Sequence, residues 1–496
     1  MNWKKFVAED WRFQRFLEIL PGSFSWSLIL FLVVGSFFVP HYVAAFVILF
    51  DIYWLYKSIN IGVTSLISHY KIKAAMVYDW SGDLKKLKNF SKIHHIIIIP
   101  TFREPLSVLE RSIQSIADQE LDPKEFLTVL VAFEEREKEA REKAKVLSEK
   151  FKKSFSHFFT TFHPDLPSEI KGKSSNEAWA GRWVKKEMVD KLGYSLEYLT
   201  TTSADADTHF HQKYFSAISY YFLTDKNRHR RFWHAAIWYY SNIWNVPAPV
   251  RVINTFNTVW RTAVLIRRDL LIQTSVYTLS LKMLDEVGYW DTNVIPEDYR
   301  IFFKCFFAFA ETVEVEPIFL PVYVDAPQST TYWKTLVNQY EQMRRWAWGV
   351  SDDAYLIKKL LTSGRKDLLH KLVRVYQVLE DHFMWPVNWF FITLGANVPI
   401  LLNPVFAQTV MGRNLPRISF AILTLCWIGL AVILFVDIKQ KPKGKEKVSR
   451  LKLFLHPLEF ILMPLVGFFF SALPGLDSHT RLMLGKYIEY RVTEKV

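Results

Sequence analysis

Long apolar runs lie near both ends of the chain, and a region of mixed polarity separates them. The runs contain few charged residues and predict membrane-spanning helices; they cover residues 24–40, 43–56, 383–402 and 418–436. Pro40 and His41 separate the first two runs and predict a tight turn there. Asp51 lies inside the second run, where a carboxylate at the centre of a bilayer would cost about 3 kcal/mol. A buried hairpin of a soluble protein is therefore the alternative for this pair.

The segments beside these runs predict how the chain is oriented in a membrane. Residues 1–20 mix Lys, Arg and aromatic residues, as an amphipathic helix at a membrane surface does. Residues 437–452 are strongly basic, and basic loops are retained on the cytoplasmic side. Both features place the central region in the cytoplasm, below a bacterial-type plasma membrane. Three prolines interrupt the last apolar run, 453–476, which is predicted to be a kinked fifth span or a re-entrant element.

The central region alternates short apolar runs with helical patterns. Residues 94–100 read HHIIIIP, which is typical of a buried parallel strand. A helical pattern follows at 107–118 and a second apolar run at 126–133. Strand, helix and strand at this spacing predict the βαβ unit of an α/β domain. A third strand is predicted to end at Ser203, and a later one covers 314–324.

These patterns divide the chain into four predicted regions. The regions are an amphipathic helix with two spans (1–88), an α/β domain (89–350), interfacial helices (351–382) and a C-terminal membrane region (383–496). The predicted fold class is therefore an α/β domain inserted between N-terminal and C-terminal transmembrane helices.

Composition narrows the possible classes of protein. Cys305 and Cys426 are the only cysteines and lie far apart, so neither a disulfide framework nor a cysteine metal site is supported. The net charge of +13 predicts anionic partners such as phosphates and lipid headgroups. A nucleic-acid-binding protein would also suit this charge. However, the longest basic run adjoins apolar runs, and the sequence contains no recognised nucleic-acid motif, so we expect a lipid bilayer and no nucleic acid as partner.

Two aspartates follow the third predicted strand, in the stretch LTTTSADAD. Asp205 and Asp207 are one residue apart at the end of this strand. Two neighbouring carboxylates repel each other, and a cation between them relieves the repulsion. Mg²⁺ or Mn²⁺ that also binds a substrate diphosphate suits such a pair. Ordinary surface turns also contain Asp-x-Asp, so the surrounding motifs decide between a metal site and a turn.

Two further polar motifs lie in the same region. Residues 171–176 (KGKSSN) form a basic turn of small residues before a predicted helix, and such a turn can bind phosphate through backbone N–H groups and Lys173. Glu297 and Asp298 begin another predicted helix, where acidic side chains also favour the helix dipole. Each motif by itself is equally typical of an ordinary surface loop or helix end.

The ordered set of motifs resembles that of the membrane-embedded glycosyltransferases of family 2, which include the cellulose, chitin and hyaluronan synthases. In chain order, the sequence contains IIIIPTFRE, KGKSSN, DAD, an E-D pair and QMRRW, with apolar runs on both sides. Each motif is common, but this order with these flanking runs is specific. The resemblance covers roughly residues 96–346 and the flanking spans.

The resemblance implies a GT-A domain that binds a nucleotide-diphospho-sugar, with a UDP-sugar favoured, and a divalent cation, Mg²⁺ or Mn²⁺. Asp298 would be the general base that deprotonates the acceptor hydroxyl, with Glu297 beside it, and Asp205 and Asp207 would bind the metal. The remaining implied residues are Thr101, Glu104, Lys173, Asp205 and Arg345 for the donor and its diphosphate, and Gln342 and Trp346 for the acceptor.

Elementary chemistry agrees with these implied roles. Transfer of a sugar needs a base for the acceptor hydroxyl and charge stabilisation on the departing diphosphate. A carboxylate, a metal ion and an arginine meet both needs. One base without an evident second nucleophile predicts an inverting, single displacement.

The sequence departs from the family pattern at three places. Glu134 ends the second strand where the family has an aspartate near the nucleotide, Pro296 replaces a threonine, and residues 275–280 lack the T-N-A pattern near the acceptor. The nucleotide and the acceptor therefore stay open. The predicted acceptor is a growing polysaccharide or another glycan.

Two alternatives to a processive synthase also stay open. One is a single transfer to a lipid or a short glycan, and the other is a non-catalytic membrane transporter or scaffold. A transporter would place its polar motifs within the spans, whereas these motifs lie in the α/β region.

Overall fold

The computed structural model describes residues 7, 9–309, 312–364, 366–441, 448 and 454–489. The strands of this described part are β1 (His94–Thr101), β2 (Leu127–Glu134), β3 (His157–His163), β4 (Leu199–Ser203), β5 (His209–Phe210), β6 (Arg231–Trp238), β7 (Tyr277–Ser280) and β8 (Glu314–Tyr323). Together they form one mixed sheet in the order β3-β2-β1-β4-β7-β6-β8-β5.

Helices precede, separate and follow these strands. Before β7 they are Trp11–Phe38, Pro40–Val77, Trp80–Leu84, Leu106–Ala117, Pro123–Phe126, Ala140–Phe151, Lys173–Lys185, Tyr214–Thr224 and Ala248–Val264. After β7 they are Leu281–Glu286, Glu297–Phe309, Tyr332–Ala347, Asp353–Thr362, Leu368–Met384, Asn388–Leu394, Val398–Leu402, Pro404–Gln408, Val410–Gln440, Met463–Gly467 and Leu473–Met483.

Strand β1 lies at the centre of the parallel half of the sheet. It is parallel to β2 on one side and to β4 on the other, and β2 is parallel to β3. Ile96 and Ile98 belong to one hydrophobic core, and Ile97 and Ile99 belong to another. Because both faces of β1 are covered, its sequence is continuously apolar. The loops after β1, β2 and β4 therefore meet at one edge of the sheet.

The other half of the sheet is mainly antiparallel. β7 pairs antiparallel with both β4 and β6, while β6 and β8 are parallel. Strand β6, which contains Phe232, Trp233 and Trp238, is buried along its whole length and belongs to the core. The predicted class, an α/β domain between flanking apolar helices, is confirmed.

Two elements near the sheet edge differ from the predictions. β3 was not predicted, because it is an edge strand whose residues are mostly only half-buried and whose sequence mixes Phe, Thr and His. The D-A-D stretch therefore follows the fourth strand. The helix expected to follow the KGKSSN turn begins at Lys173 itself, so this lysine lies in the first helical turn.

Four helices of the described residues are long and apolar enough to cross a membrane. They are Trp11–Phe38, Pro40–Val77, Val410–Gln440 and His456–Met483. The predicted turn between the first two lies at Val39, and Pro40 begins the second helix. Asp51 is buried and accepts a hydrogen bond of 2.5 Å from Ser419 of the third helix. Packing of these helices thus gives one oxygen of the carboxylate, Oδ2, a hydrogen-bond donor inside the apolar run.

The prediction of one spanning helix at 383–402 is wrong. The helix Leu368–Met384 ends there, and two short helices, Asn388–Leu394 and Val398–Leu402, follow after breaks. Pro386 lies in the first break, and Pro399 is the second residue of the helix that follows the second break. Proline has no backbone N–H and interrupts the helical hydrogen bonds.

The other predicted end segments have different outcomes. The proline-rich run 453–476 falls largely within His456–Met483, which mixes 3-10, α and π turns. Residues 442–447 and 449–452 of the basic loop, and residues 1–6 and 8 of the predicted amphipathic helix, lie outside the described residues. From Trp11 onward, the N-terminal segment continues directly into the first apolar helix.

Candidate active site

The loop after β1 is held by two carboxylates. Glu104 Oε2 accepts hydrogen bonds from Thr101 Oγ1 at 2.7 Å and from the Phe102 N–H at 2.5 Å. Glu137 Oε2 accepts from the Arg103 N–H at 2.9 Å, and Arg103 has a positive φ of 68°. Such a conformation is costly for a residue other than glycine and is often retained at functional sites. The loop is therefore fixed where β1 ends.

Lys173 lies at the centre of three carboxyl groups at the same edge. Its Nζ is 2.9 Å from Asp205 Oδ1, 3.1 Å from Glu297 Oε1 and 3.7 Å from Glu177 Oε1. Glu177 Oε1 also accepts a hydrogen bond from Ser203 Oγ at 2.5 Å. We call these four residues, Lys173, Glu177, Asp205 and Glu297, the cavity cluster.

The cluster shifts the pKa values of its members. Burial alone would lower the pKa of Lys173, but the three surrounding carboxyl groups outweigh burial and raise this pKa well above its ordinary value. Burial raises the pKa of Glu177 and of Glu297, although Lys173 opposes this rise. Lys173 is thus a permanent cation beside carboxyl groups that can take up protons.

The carboxylate of Asp298 is oriented by two backbone N–H groups. Oδ2 accepts from the Ser275 N–H at 3.1 Å, and Oδ1 accepts from the Tyr299 N–H at 2.9 Å. Ser275 has a φ of 56°, a left-handed conformation that is rare for serine. Gln273 Nε2 also donates to the backbone oxygen of Asp298 at 3.0 Å. The carboxylate is therefore held in one orientation, and the N–H groups complement its charge.

Asp205 and Asp207 are carried by the loop after β4. Asp207 is buried, and its Oδ2 accepts a hydrogen bond of 2.8 Å from the Asp325 N–H. Among the described residues, no group of three or more His, Cys, Asp or Glu side chains is arranged as a metal site. Carboxylate oxygens are nevertheless the ligands that Mg²⁺ and Mn²⁺ prefer, and these ions commonly take further ligands from phosphates and water. The donor set of the two aspartates fits such an ion.

The helix Tyr332–Ala347 contributes the Q-x-x-R-W residues. The Trp346 ring lies 5.8 Å from the Tyr239 ring, and the Arg261 guanidinium lies 5.4 Å from the Trp346 ring. Arg261 also donates a hydrogen bond to Thr274 Oγ1. Gln342 is buried one helical turn before Trp346. Trp346 is thus held between an aromatic and a cationic side chain.

A single cavity of about 640 Å³ joins these parts. All the residues that the sequence motifs single out line it, namely Thr101, Glu104, Lys173, Asp205, Asp207, Glu297, Asp298, Gln342, Arg345 and Trp346. The same cavity continues between the apolar helices, where Trp54, Trp389 and Gly467 line it. It therefore connects the edge of the sheet with the candidate membrane spans.

Residues 202–436 match the family model described as glycosyl transferase family group 2. The resemblance to glycosyltransferase family 2 is confirmed. No curated protein matches this sequence.

Two solved structures are among those similar to this chain. One is the mannosyltransferase PcManGT from Pyrobaculum calidifontis in complex with GDP-Man and Mn²⁺, with 11% identity over 75% of this chain and 99% of that chain and a TM-score of 0.41. The other is S. aureus TarS 1–349 in complex with UDP-GlcNAc, with 13% identity over 80% and 93% of the two chains and a TM-score of 0.34.

The structure also brings to the site residues that the sequence motifs did not indicate. Glu177 is one of them, and its spacing of four from Lys173 on one helix could have indicated the contact. The Ser275 N–H and the side chain of His382 are others. No local sequence pattern indicates either residue, because only the folding of the chain brings each of them to the site.

Proposed function

We propose that this protein is an integral-membrane, inverting glycosyltransferase that transfers a sugar from a nucleotide-diphospho-sugar to a glycan acceptor, with Asp298 as general base. One observation carries the proposal: the Asp298 carboxylate, oriented by two backbone N–H groups, shares a cavity with Lys173, Asp205 and Arg345. A base and the groups suited to a leaving diphosphate thus face the same space.

The donor would lie at the edge of the sheet. Lys173 and Arg345 would neutralise charge on the departing diphosphate, as cationic groups do at a phosphate leaving group. Asp205 and Asp207 would hold a divalent cation, and the charge of that ion would further stabilise the diphosphate. Thr101 and Glu104, which fix the loop after β1, would form the wall beside the nucleotide.

The reaction would proceed in one displacement. A carboxylate oxygen of Asp298 would accept the proton of the acceptor hydroxyl as its oxygen bonds to the anomeric carbon of the donor. The bond from that carbon to the diphosphate oxygen would break, and its electron pair would leave with the nucleoside diphosphate. Gln342 and Trp346 would orient the acceptor sugar, since an aromatic ring offers an apolar face to a sugar.

The proposed membrane location rests on the four apolar helices and on the cavity between them. An acceptor that reached the site from this side would pass Trp54 and Trp389 on its way to Asp298. The catalytic domain would lie in the cytoplasm, where nucleotide-sugars are made.

A donor screen tests the proposal. The full chain in nanodiscs would be offered UDP-, GDP- and dTDP-sugars, with neutral oligosaccharides as acceptors, in the presence of Mg²⁺ or Mn²⁺ and separately with EDTA. We expect release of nucleoside diphosphate from one donor, and we expect EDTA to abolish it. Asp298→Asn should slow transfer by at least ~10²-fold, the usual contribution of a general base, and should leave donor affinity intact.

The matched control is Asp190→Asn, because this aspartate lies on the surface and pairs with Lys185. Its rate should equal that of the wild type. Near-normal transfer by Asp298→Asn would remove Asp298 from the role of base. Absence of both turnover and calorimetric donor binding in the wild type would contradict the proposed function itself.

A further inference from the structure

His382 lines the cavity on the side of the apolar helices and is held by a buried carboxylate. Its Nδ1 lies 2.7 Å from Asp353 Oδ1, and Asp353 is almost fully buried. Burial alone would lower the pKa of His382, but Asp353 and other nearby carboxylates outweigh burial and raise it. The pair therefore fixes the orientation of the imidazole, and the raised pKa favours the charged form, which also carries a proton on Nε2.

The second imidazole nitrogen, Nε2, lies on the side of the ring away from Asp353. Within the described part of the chain, Nε2 makes no hydrogen bond, and His382 contributes to the cavity wall. Gly349 lies beside it, and a Cβ at this position would come within 3.2 Å of Nε2. The absence of a side chain at Gly349 thus leaves room next to this nitrogen.

His382 lies close to the proposed base. Its ring centroid is 6.2 Å from that of Tyr299, and the Tyr299 N–H donates to Asp298 Oδ1. Asp298 and His382 line the same cavity. A molecule that presents a hydroxyl to Asp298 would therefore extend past His382.

The surroundings of His382 favour an uncharged ligand. Trp385 and Trp389 line the cavity on the same side and offer apolar ring faces. Lys57 is paired with Glu380 at 2.9 Å and lies 3.8 Å from Asp381, so carboxylates outnumber this cation. A phosphate group here would meet these carboxylates, whereas a sugar would meet aromatic faces.

We propose that His382, held by Asp353, is an acceptor-binding residue whose Nε2–H donates a hydrogen bond to a hydroxyl of an uncharged glycan acceptor. The inference rests on the proposed function and deepens it, because it assigns the acceptor to the class of neutral saccharides. His382 would position the acceptor for Asp298 and would take no proton from it.

Two substitutions of His382 distinguish the hydrogen bonds made by its two ring nitrogens. The amide of His382→Asn can occupy the place of Nδ1 and keep the bond to Asp353, but it removes the donor at Nε2. The longer His382→Gln can place an N–H near the position of Nε2. Gly349→Ala would leave both side chains in place and put a methyl group against Nε2.

The measurement is the acceptor KM of the full chain in nanodiscs, at saturating donor, with the neutral oligosaccharide that most increases nucleoside diphosphate release. We expect His382→Asn and Gly349→Ala to raise this KM by about 10- to 100-fold, as the loss of a hydrogen bond from a charged donor does. Donor KM and transfer to water should change little. His382→Gln should recover most of the loss.

The control is His370→Asn, because His370 lies on the same helix, Leu368–Met384, and is exposed. Its acceptor KM should equal that of the wild type. An unchanged acceptor KM in His382→Asn would overturn the inference, as would equal losses in donor KM and transfer to water, which a purely structural role would cause. A wild type that ignores neutral oligosaccharides but responds to a polyprenyl phosphate would also overturn it. A wild type silent with every donor would instead refute the proposed function.

Discussion

Two buried clusters of charged side chains differ in their ratio of acidic to basic groups and in their surroundings. The cavity cluster places three carboxyl groups around one ammonium group at the sheet edge. The second cluster, which we call the interface cluster, joins the α/β domain to two apolar helices. It consists of Tyr240, Arg251, Asp437, Lys441, His456 and Glu459.

The interface cluster pairs each carboxylate with a cation. Asp437 Oδ2 is 2.8 Å from Lys441 Nζ and 3.1 Å from His456 Nε2. Arg251 donates two hydrogen bonds to Glu459, of 2.8 and 2.9 Å. None of these residues is among those that line the cavity around Lys173. A balanced cluster away from the cavity serves the structure, whereas a cluster with an excess of carboxyl groups beside the cavity is suited to a cationic ligand.

The largest expected effect on stability comes from the interface cluster. Arg251→Met would remove both bonds to Glu459 and the bonds that Arg251 donates to the Ile243 and Val246 carbonyls. Because Glu459 would lose its guanidinium partner and keep only the contact of 2.9 Å with His456 Nδ1, we expect a loss of stability on the order of 3 kcal/mol. Thermal unfolding in nanodiscs would measure it, and donor affinity of the folded protein should not change.

The exposed Arg268 provides the control, since Arg268→Met removes an ion pair at the surface. Its unfolding temperature should match that of the wild type within error. The double substitution Arg251→Met with Glu459→Gln should be more stable than Arg251→Met alone, because no unpaired carboxylate remains. If the double variant were no more stable than Arg251→Met, the unpaired carboxylate would not be the cause of the loss of stability.

An intermediate effect is expected from the cavity cluster. Lys173→Met should weaken donor binding by about tenfold or more, since a charged contact to the diphosphate is lost. Its cost in stability should be smaller than that of Arg251→Met, because the pKa values of Glu177 and Glu297 are already raised and these groups can bind protons. Calorimetry with the donor found in the screen would give the affinity.

Lys171→Met is the matched control for that variant. Lys171 lies two residues earlier, is exposed and pairs with Asp165. Donor affinity should be unaffected there. An equal decrease in both variants would indicate a general effect of positive charge, and the distinction between the two clusters would lose its support at this site.

The strands that could be predicted from the sequence are those that are buried on both faces. β1 and β2 are buried along their whole length, so their apolar runs are unambiguous. β3 at the sheet edge is mostly half-buried and has no such signature. The break near Pro386 was missed for a related reason: hydropathy over residues 383–402 reports apolar character, but not whether the helix is continuous.

The site was predictable where a side chain belongs to an ordered motif. Lys173, Asp205 and Asp298 were all singled out by such motifs, and they line one cavity. The N–H of Ser275 that orients Asp298 could not be predicted, because it depends on a backbone conformation with φ of 56° and not on a residue type. The contact of His382 with Asp353 joins two helices and likewise appears only in the folded chain.

The smallest expected effect on stability comes from a single hydrogen bond within the interface cluster, and it tests whether the two clusters act independently. Tyr240 donates one hydrogen bond of 2.7 Å to Asp437 Oδ1, while Lys441 and His456 contact the other oxygen. Tyr240→Phe should therefore cost about 1.5 kcal/mol, the contribution of one hydrogen bond to a charged group, because Asp437 keeps its cation. Thermal unfolding beside Tyr376→Phe, an exposed tyrosine, would measure this loss. A decrease in donor affinity in Tyr240→Phe would show that the interface cluster acts on the active site, and the functional separation of the two clusters would then be wrong.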